Sequence, residues 1–278
     1  MQAITGYTQR EFDARGICFR YLEWGDASSP PMVLLHGLTG HAHTWDHMAP
    51  ALAERFHVVA LDQRGHGDSE HAATYGTGDF VEDVEAFAEH LGLRRFVLMG
   101  LSMGGHNAMA YAAAYPQRVS RLIIIDIPPK MDREYTPNWP VISKLAETGH
   151  AGFDSFEQAL EAARAGNPTA PEENLRYRTE WNLTKTANGK LLLKWDAKAP
   201  AAWAPADLWP LLPSISVPTL LVRGGKTLVL PRETAQRMIA SLPDAELIEV
   251  PDSGHSVPTD RPEELQQIVL DWLAKRSA

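Results

Sequence analysis

The stretch Phe96-Val97-Leu98-Met99-Gly100-Leu101-Ser102-Met103-Gly104-Gly105 decides how the chain is read. A short apolar strand runs into Gly-x-Ser-x-Gly, and a helix-like run from Asn107 to Tyr115 follows. That order places Ser102 on a sharp strand-to-helix turn, with its hydroxyl exposed at a helix N-terminus. Gly100 and Gly104, lacking Cβ atoms, let strand and helix approach closely around a strained serine.

Working outward, buried-type strands alternate with helices. Gln9 to Trp24 read as two antiparallel strands joined near Ala14-Arg15-Gly16. Pro31 to Leu35 is a continuous apolar run ending in His36-Gly37-Leu38, as expected of a strand buried on both faces. A helix is expected from about Thr44 to Arg55, then a strand from Phe56 to Leu61 ending in Asp62-Gln63-Arg64-Gly65-His66-Gly67-Asp68-Ser69. Gly78 to Leu91 has helical periodicity, with Gly92 as its stop. Arg121 to Ile125 forms the next strand and closes on Asp126. The rhythm returns at Val217 to Gly225, with a helix over Arg232 to Leu242, a strand over Glu246 to Val250, the loop Asp252-Ser253-Gly254-His255 and a last helix over Pro262 to Lys275. This pattern predicts an α/β fold: a doubly wound, mostly parallel sheet with helices on both faces. In such sheets chemistry gathers beyond the carboxyl ends of the strands, where His36, Arg64, Ser102 and Asp126 all fall.

From Pro128 to Pro213 the texture changes. Half of the chain's 20 prolines and five of its 8 tryptophans lie there, with no clear strand and helices expected near Trp139–Thr148 and Phe153–Ala165. The block reads as a helical lid inserted after the sixth strand. The expected division is therefore 1–127 and 214–278 for the core and 128–213 for the lid.

Composition narrows the function. A net charge of -9 argues against nucleic-acid and anionic-membrane partners, which need basic surfaces. Cys18 is the single cysteine, so neither a disulfide framework nor a thiolate zinc site is expected; in its alternating run it reads as a packed strand residue. No basic-apolar leader and no membrane-length apolar run is present. The expectation is a cytoplasmic monomer or homodimer acting on a small molecule, without metal or cofactor.

A serine needs a base, and the base needs an orienting group. His255 is the base candidate, in a loop after the last strand. His106 should point into the body beneath the serine turn. His41, His43 and His47 lack ligand-type partners and read as solvated or rim residues rather than a metal site. An oxyanion needs preorganised N–H donors, expected from Met103 and Leu38.

Together, His36-Gly37, Asp62-x-Arg64-Gly65-x-Gly67-x-Ser69, Gly100-x-Ser102-x-Gly104-Gly105 and Gly254-His255 resemble the α/β-hydrolase fold family, in the family's order and over nearly the whole chain except the lid. The resemblance implies a sheet of eight strands and a Ser–acid–His triad, with Arg64, Gly65 and Gly67 shaping a core loop. The family usually carries its acid a few residues past the glycine that ends the strand here written Thr219 to Val222. This chain has Gly224-Gly225-Lys226-Thr227-Leu228-Val229 there, with no carboxylate before Glu233. A minority of the family carries the acid one strand earlier, which points to Asp126; Asp252, expected to make local turn hydrogen bonds, and Glu233 rank behind it.

Serine rather than aspartate at the turn argues against epoxide opening and halide displacement. It favours acyl transfer through an acyl-enzyme at Ser102, although direct attack by a His-activated water is an open alternative. The leading expectation is a carboxylesterase-like enzyme for a small, mostly apolar ester or lactone. The second is an amide or carbon–carbon hydrolase of a small carboxylate-bearing substrate such as 2-(acetamidomethylene)succinate, which an acid on the earlier strand together with pocket arginines resembles. A non-catalytic small-molecule receptor is the alternative of another class. Candidate pocket residues are His36, Trp139, Trp181 and Trp203, with Arg164, Arg176 and Arg178 as possible carboxylate partners.

Overall fold

The computed structural model describes residues 6–131 and 139–276 of the chain. Its strands are β1 (Thr8–Ala14), β2 (Ile17–Trp24), β3 (Pro31–Leu35), β4 (His57–Leu61), β5 (Phe96–Leu101), β6 (Val119–Ile125), β7 (Leu183–Lys185), β8 (Leu191–Leu193), β9 (Thr219–Gly224) and β10 (Ala245–Val250). The helices are α1 (Ala49–Leu52), α2 (Thr77–His90), α3 (Met103–Ala114), α4 (Trp139–Ala151), α5 (Phe156–Gly166), α6 (Glu172–Trp181), α7 (Ala199–Ala202), α8 (Arg232–Ser241), α9 (Val257–Asp260) and α10 (Pro262–Lys275).

Eight strands form one sheet in the order β1-β2-β4-β3-β5-β6-β9-β10. β2 pairs antiparallel with β1 and β4, and every other neighbour is parallel. Successive side chains leave opposite faces of a strand, and the core divides accordingly. Val33, Leu35, Leu98 and Ile124 join one apolar layer with α2, α3 and α8. Met32, Leu34, Met99, Ile123 and Ile125 join the other, with α1 and α10. Both faces are dry, which is why these strands read as unbroken apolar runs.

The register then sets the site. Leu35 lies opposite Gly100, Leu101 opposite Ile125, and Ile125 opposite Val222. β3, β5, β6 and β9 therefore end side by side, and the residues that follow them share one sheet edge.

The structure corrects two local expectations. No continuous helix covers 44–55: a 3-10 turn over Ala42–Trp45 is followed by the four-residue α1. Pro50 lacks an N–H, and its ring would meet the carbonyl of Asp46 in a continuous helix. The middle block, expected to hold no strand, contains the antiparallel pair β7 and β8. Asn188-Gly189 makes its turn, Gly189 at φ +84°, a conformation that favours glycine. The same block also holds α6 and α7 beyond the two helices expected there.

Candidate active site

Ser102 follows β5 and precedes α3, at φ 52° and ψ −120°. Its carbonyl accepts the N–H of His106 at 2.9 Å, the first turn of α3. The turn is tight enough that a Cβ on Gly100 would lie 2.2 Å from the Gly104 carbonyl oxygen, so only glycine fits where β5 meets α3.

Three side chains form one hydrogen-bonded line. His255 Nε2 lies 2.9 Å from Ser102 Oγ, and His255 Nδ1 lies 2.7 Å from Asp126 Oδ2. Asp126 is fully buried, whereas the His255 side chain keeps 23% of its surface exposed. Asp126, like Ser102, has a φ of 52°, which for non-glycine residues costs about 1–3 kcal/mol and clusters at functional sites. Its other oxygen, Oδ1, accepts the Gly224 N–H at 3.0 Å, and Oδ2 also accepts the Thr227 hydroxyl at 2.6 Å. Asp252 stands apart, in an exposed ion pair with Lys226 at 2.9 Å. This line is the arrangement that lets an imidazole take the serine proton while a carboxylate fixes its tautomer.

A cavity of about 120 Å³ opens onto Ser102 and His255. One wall is apolar, built from Met131, Ile142, Leu145, Leu193, Trp203 and Val229; Arg178, Asn167, Thr44, Thr179 and Asn182 supply polar groups. Leu38 lines the cavity as well. Met103 is the first residue of α3, so its N–H is among those that a helix leaves without an internal acceptor.

Arg178 has no carboxylate in an ion pair among the described residues, and its Nη1 donates to Asn167 Oδ1 at 3.1 Å. Burial pushes its guanidinium below the ordinary value, with the charge of Asp260 opposing. Thr44 Oγ1 and Asn182 Oδ1 are buried and have no hydrogen-bond partner among the described residues. The Arg178 guanidinium and the Thr44 hydroxyl can donate to an anionic ligand oxygen, whereas the Asn182 amide oxygen accepts and suits a ligand N–H or O–H.

Other candidates fall elsewhere. Arg164 and Arg176 lie on the outside, paired with Glu157, Glu161 and Glu172. Neither lines the cavity. Trp181 does not line it either; it stacks on His43 at 3.7 Å. His36 is fully buried beneath the site, where its Nε2 accepts the Gln63 N–H at 2.9 Å. Its pKa is driven well down by burial, so it acts as a neutral loop brace. Trp203 does line the cavity, and the side chain of Trp139 lies outside the described residues.

His41 and His43 are buried rather than solvated, because α6 covers them: His43 bonds Asp46 at 2.8 Å and Tyr177 bonds the same carboxylate. Among the described residues no group of three or more His, Cys, Asp or Glu side chains is placed to hold a metal ion. No described helix is long and apolar enough to cross a membrane.

Thr227, Gly224, Asn167, Thr44 and Asn182 were not singled out from the sequence. Thr227 alone carried a signal, since it stands where the family's usual acid is expected.

The sequence matches the family model described as alpha/beta hydrolase fold over residues 30–262. It is 29% identical to the 2-(acetamidomethylene)succinate hydrolase of Mesorhizobium japonicum over 96% of this chain and 95% of that protein. It is 32% identical to the N-formylmaleamate deformylase of Pseudomonas putida over 89% of each, and 30% identical to an esterase of Mycobacterium tuberculosis over 92% of this chain and 86% of that one. A crystal structure of E-2-(acetamidomethylene)succinate hydrolase superposes with a TM-score of 0.88 at 25% identity, covering 96% of this chain and 99% of that one. The chain therefore belongs to the α/β-hydrolase fold family.

Proposed function

We propose that this α/β-fold hydrolase cleaves the ester or amide bond of a small acyl substrate that carries a carboxylate. Ser102 is the nucleophile, His255 the base and later the acid, and Asp126 the group that orients His255. The N–H groups of Met103 and Leu38 receive the oxyanion. His255 takes the Ser102 proton as Oγ attacks the carbonyl, then gives it to the departing oxygen or nitrogen. A water deprotonated by His255 attacks the acyl-enzyme and releases the acid with Ser102 restored. The segment 128–213 acts as the lid that closes this cavity, and α6 brings Arg178 into it.

Arg178 carries the reading: an arginine lining the cavity beside Ser102 and His255, with no carboxylate of its own among the described residues. A half-buried guanidinium, partly stripped of its hydration, gains from an anionic partner. The names of two relatives, a 2-(acetamidomethylene)succinate hydrolase and an N-formylmaleamate deformylase, denote carboxylate-bearing amides and support the same class. The apolar wall supports a second reading, a neutral ester with Arg178 held by Asn167 alone.

Matched six-carbon esters separate the two. The anionic reading expects 4-nitrophenyl hydrogen adipate to be cleaved with a kcat/KM at least about tenfold above 4-nitrophenyl hexanoate. Equal rates, or preference for the hexanoate, favour the neutral ester. Activity surviving in Ser102→Ala removes Ser102 from the mechanism.

A further inference from the structure

We propose that Thr227 is a positioning residue for this reaction, whose hydroxyl holds the Asp126 carboxylate in the plane that orients His255. The inference rests on the catalytic reading of Ser102 and His255 given above.

Asp126 Oδ2 accepts two hydrogen bonds, from His255 Nδ1 at 2.7 Å and from Thr227 Oγ1 at 2.6 Å. The direction of the second is fixed, because the Thr227 oxygen itself accepts the Val229 N–H at 3.1 Å and its single proton is left for the carboxylate. Gly224 N–H holds Oδ1 at 3.0 Å. The acid is thus pinned on both oxygens, in a place with no solvent exposure, and among the described residues only Gly224, Thr227 and His255 donate to it.

The carboxylate cannot rotate away from the imidazole, because Thr227 and Gly224 fix its plane. A base that must face the serine hydroxyl gains from that restraint.

The other charged groups around His255 do not take this role. Asp260 on α9 binds the Gly254 N–H at 2.6 Å, Lys226 is paired with Asp252, and Arg178 from α6 bonds Asn167. Among the described residues none of them hydrogen-bonds the His255 ring.

Thr227 also stands where a carboxylate would reach the same imidazole. Its Oγ1 is 2.6 Å from the oxygen that receives His255 Nδ1, and its backbone is carried by the loop after the neighbouring parallel strand β9. Loss of the acid at 126 is therefore repairable from 227.

The test is the separate measurement of kcat and KM for Thr227→Val and Thr227→Ser, read with 4-nitrophenyl hydrogen adipate or, where the enzyme prefers it, 4-nitrophenyl hexanoate. Without the hydroxyl, kcat at pH 7 is expected to fall roughly tenfold with KM little changed. Thr227→Ser restores kcat. Thr227→Ala, which leaves space rather than bulk, is read in parallel in case the valine is not accommodated. A second arm places Thr227→Asp in an Asp126→Asn background, where it is expected to raise kcat/KM at least about tenfold over Asp126→Asn alone.

A kcat within twofold of wild type in the folded valine or alanine variant overturns the proposal, as does no recovery in the double variant. Activity surviving Ser102→Ala would instead overturn the hydrolase mechanism on which it rests, so the two failures are distinguishable.

Discussion

Arg178 Nη1 donates to Asn167 Oδ1 across 3.1 Å, and the same oxygen accepts the hydroxyl of Ser256, the neighbour of His255, across 2.8 Å. One amide oxygen thus ties the Arg178 guanidinium to the loop that carries His255. An anion arriving at Arg178 meets a guanidinium already oriented by a neutral group, its other N–H groups without an acceptor among the described residues. Replacement by methionine keeps the length of the stem and removes the charge. Arg178→Met is expected to lower kcat/KM for 4-nitrophenyl hydrogen adipate about 100-fold, mostly through KM, from the loss of a charge-assisted hydrogen bond of about 3 kcal/mol. The rate with 4-nitrophenyl hexanoate should change far less. Equal losses for both esters would show that Arg178 supports the loop rather than the substrate.

The backbone of Ser102, at φ 52° and ψ −120°, is held there by the close approach of β5 and α3. Alanine at 102 keeps that strain, whereas glycine relieves it at the cost of a more flexible unfolded chain. Ser102→Gly is expected to be about 1 kcal/mol more stable than Ser102→Ala in urea unfolding, with both inactive. A glycine variant no more stable than the alanine one would show that the turn stores little energy.

His106 is buried behind the turn and bonded to the Ala206 carbonyl at 3.0 Å, with burial lowering its pKa from 6.5 to about 4. The unfolded chain therefore takes up a proton near pH 6.5 that the folded protein refuses until about pH 4. Stability contributed by the neutral ring is complete above pH 6.5 and is lost as the pH falls toward 4. His106 alone should account for about 2 kcal/mol of the stability lost between pH 7 and pH 5. His66, lowered to about 4 by the same cause, adds a similar share. His106→Gln, which keeps a donor for Ala206, is expected to flatten the dependence by about 2 kcal/mol in urea titrations at the two pH values. An unchanged slope would exclude His106 as a source.

The sheet was legible because strands buried on both faces leave an unbroken apolar signature, as in Ile123-Ile124-Ile125. The serine turn was legible because its glycines are steric necessities. The position of Asp126 was legible through the family resemblance: the carboxylate usually carried after β9 is missing, and Asp126 closes the strand before it. Distant contacts had no such signature. Arg164, Arg176 and Arg178 are alike as residues, and only the docking of α6 turns the third inward while Glu157, Glu161 and Glu172 hold the others at the surface. The buried state of His41 and His43 likewise depends on α6, more than 120 residues further along the chain. The β7–β8 turn was readable in Asn188-Gly189, but its three-residue strands are too short for alternation to show.

Intact-protein mass spectrometry after acid quenching of the reaction with a 4-nitrophenyl ester tests the assignment of Ser102 as the acyl carrier. A single acyl adduct is expected to form within one turnover, to map to the peptide containing Ser102 and to be absent from Ser102→Ala. Full turnover without an adduct at any quench time, or an adduct on another residue that persists in Ser102→Ala, would contradict it.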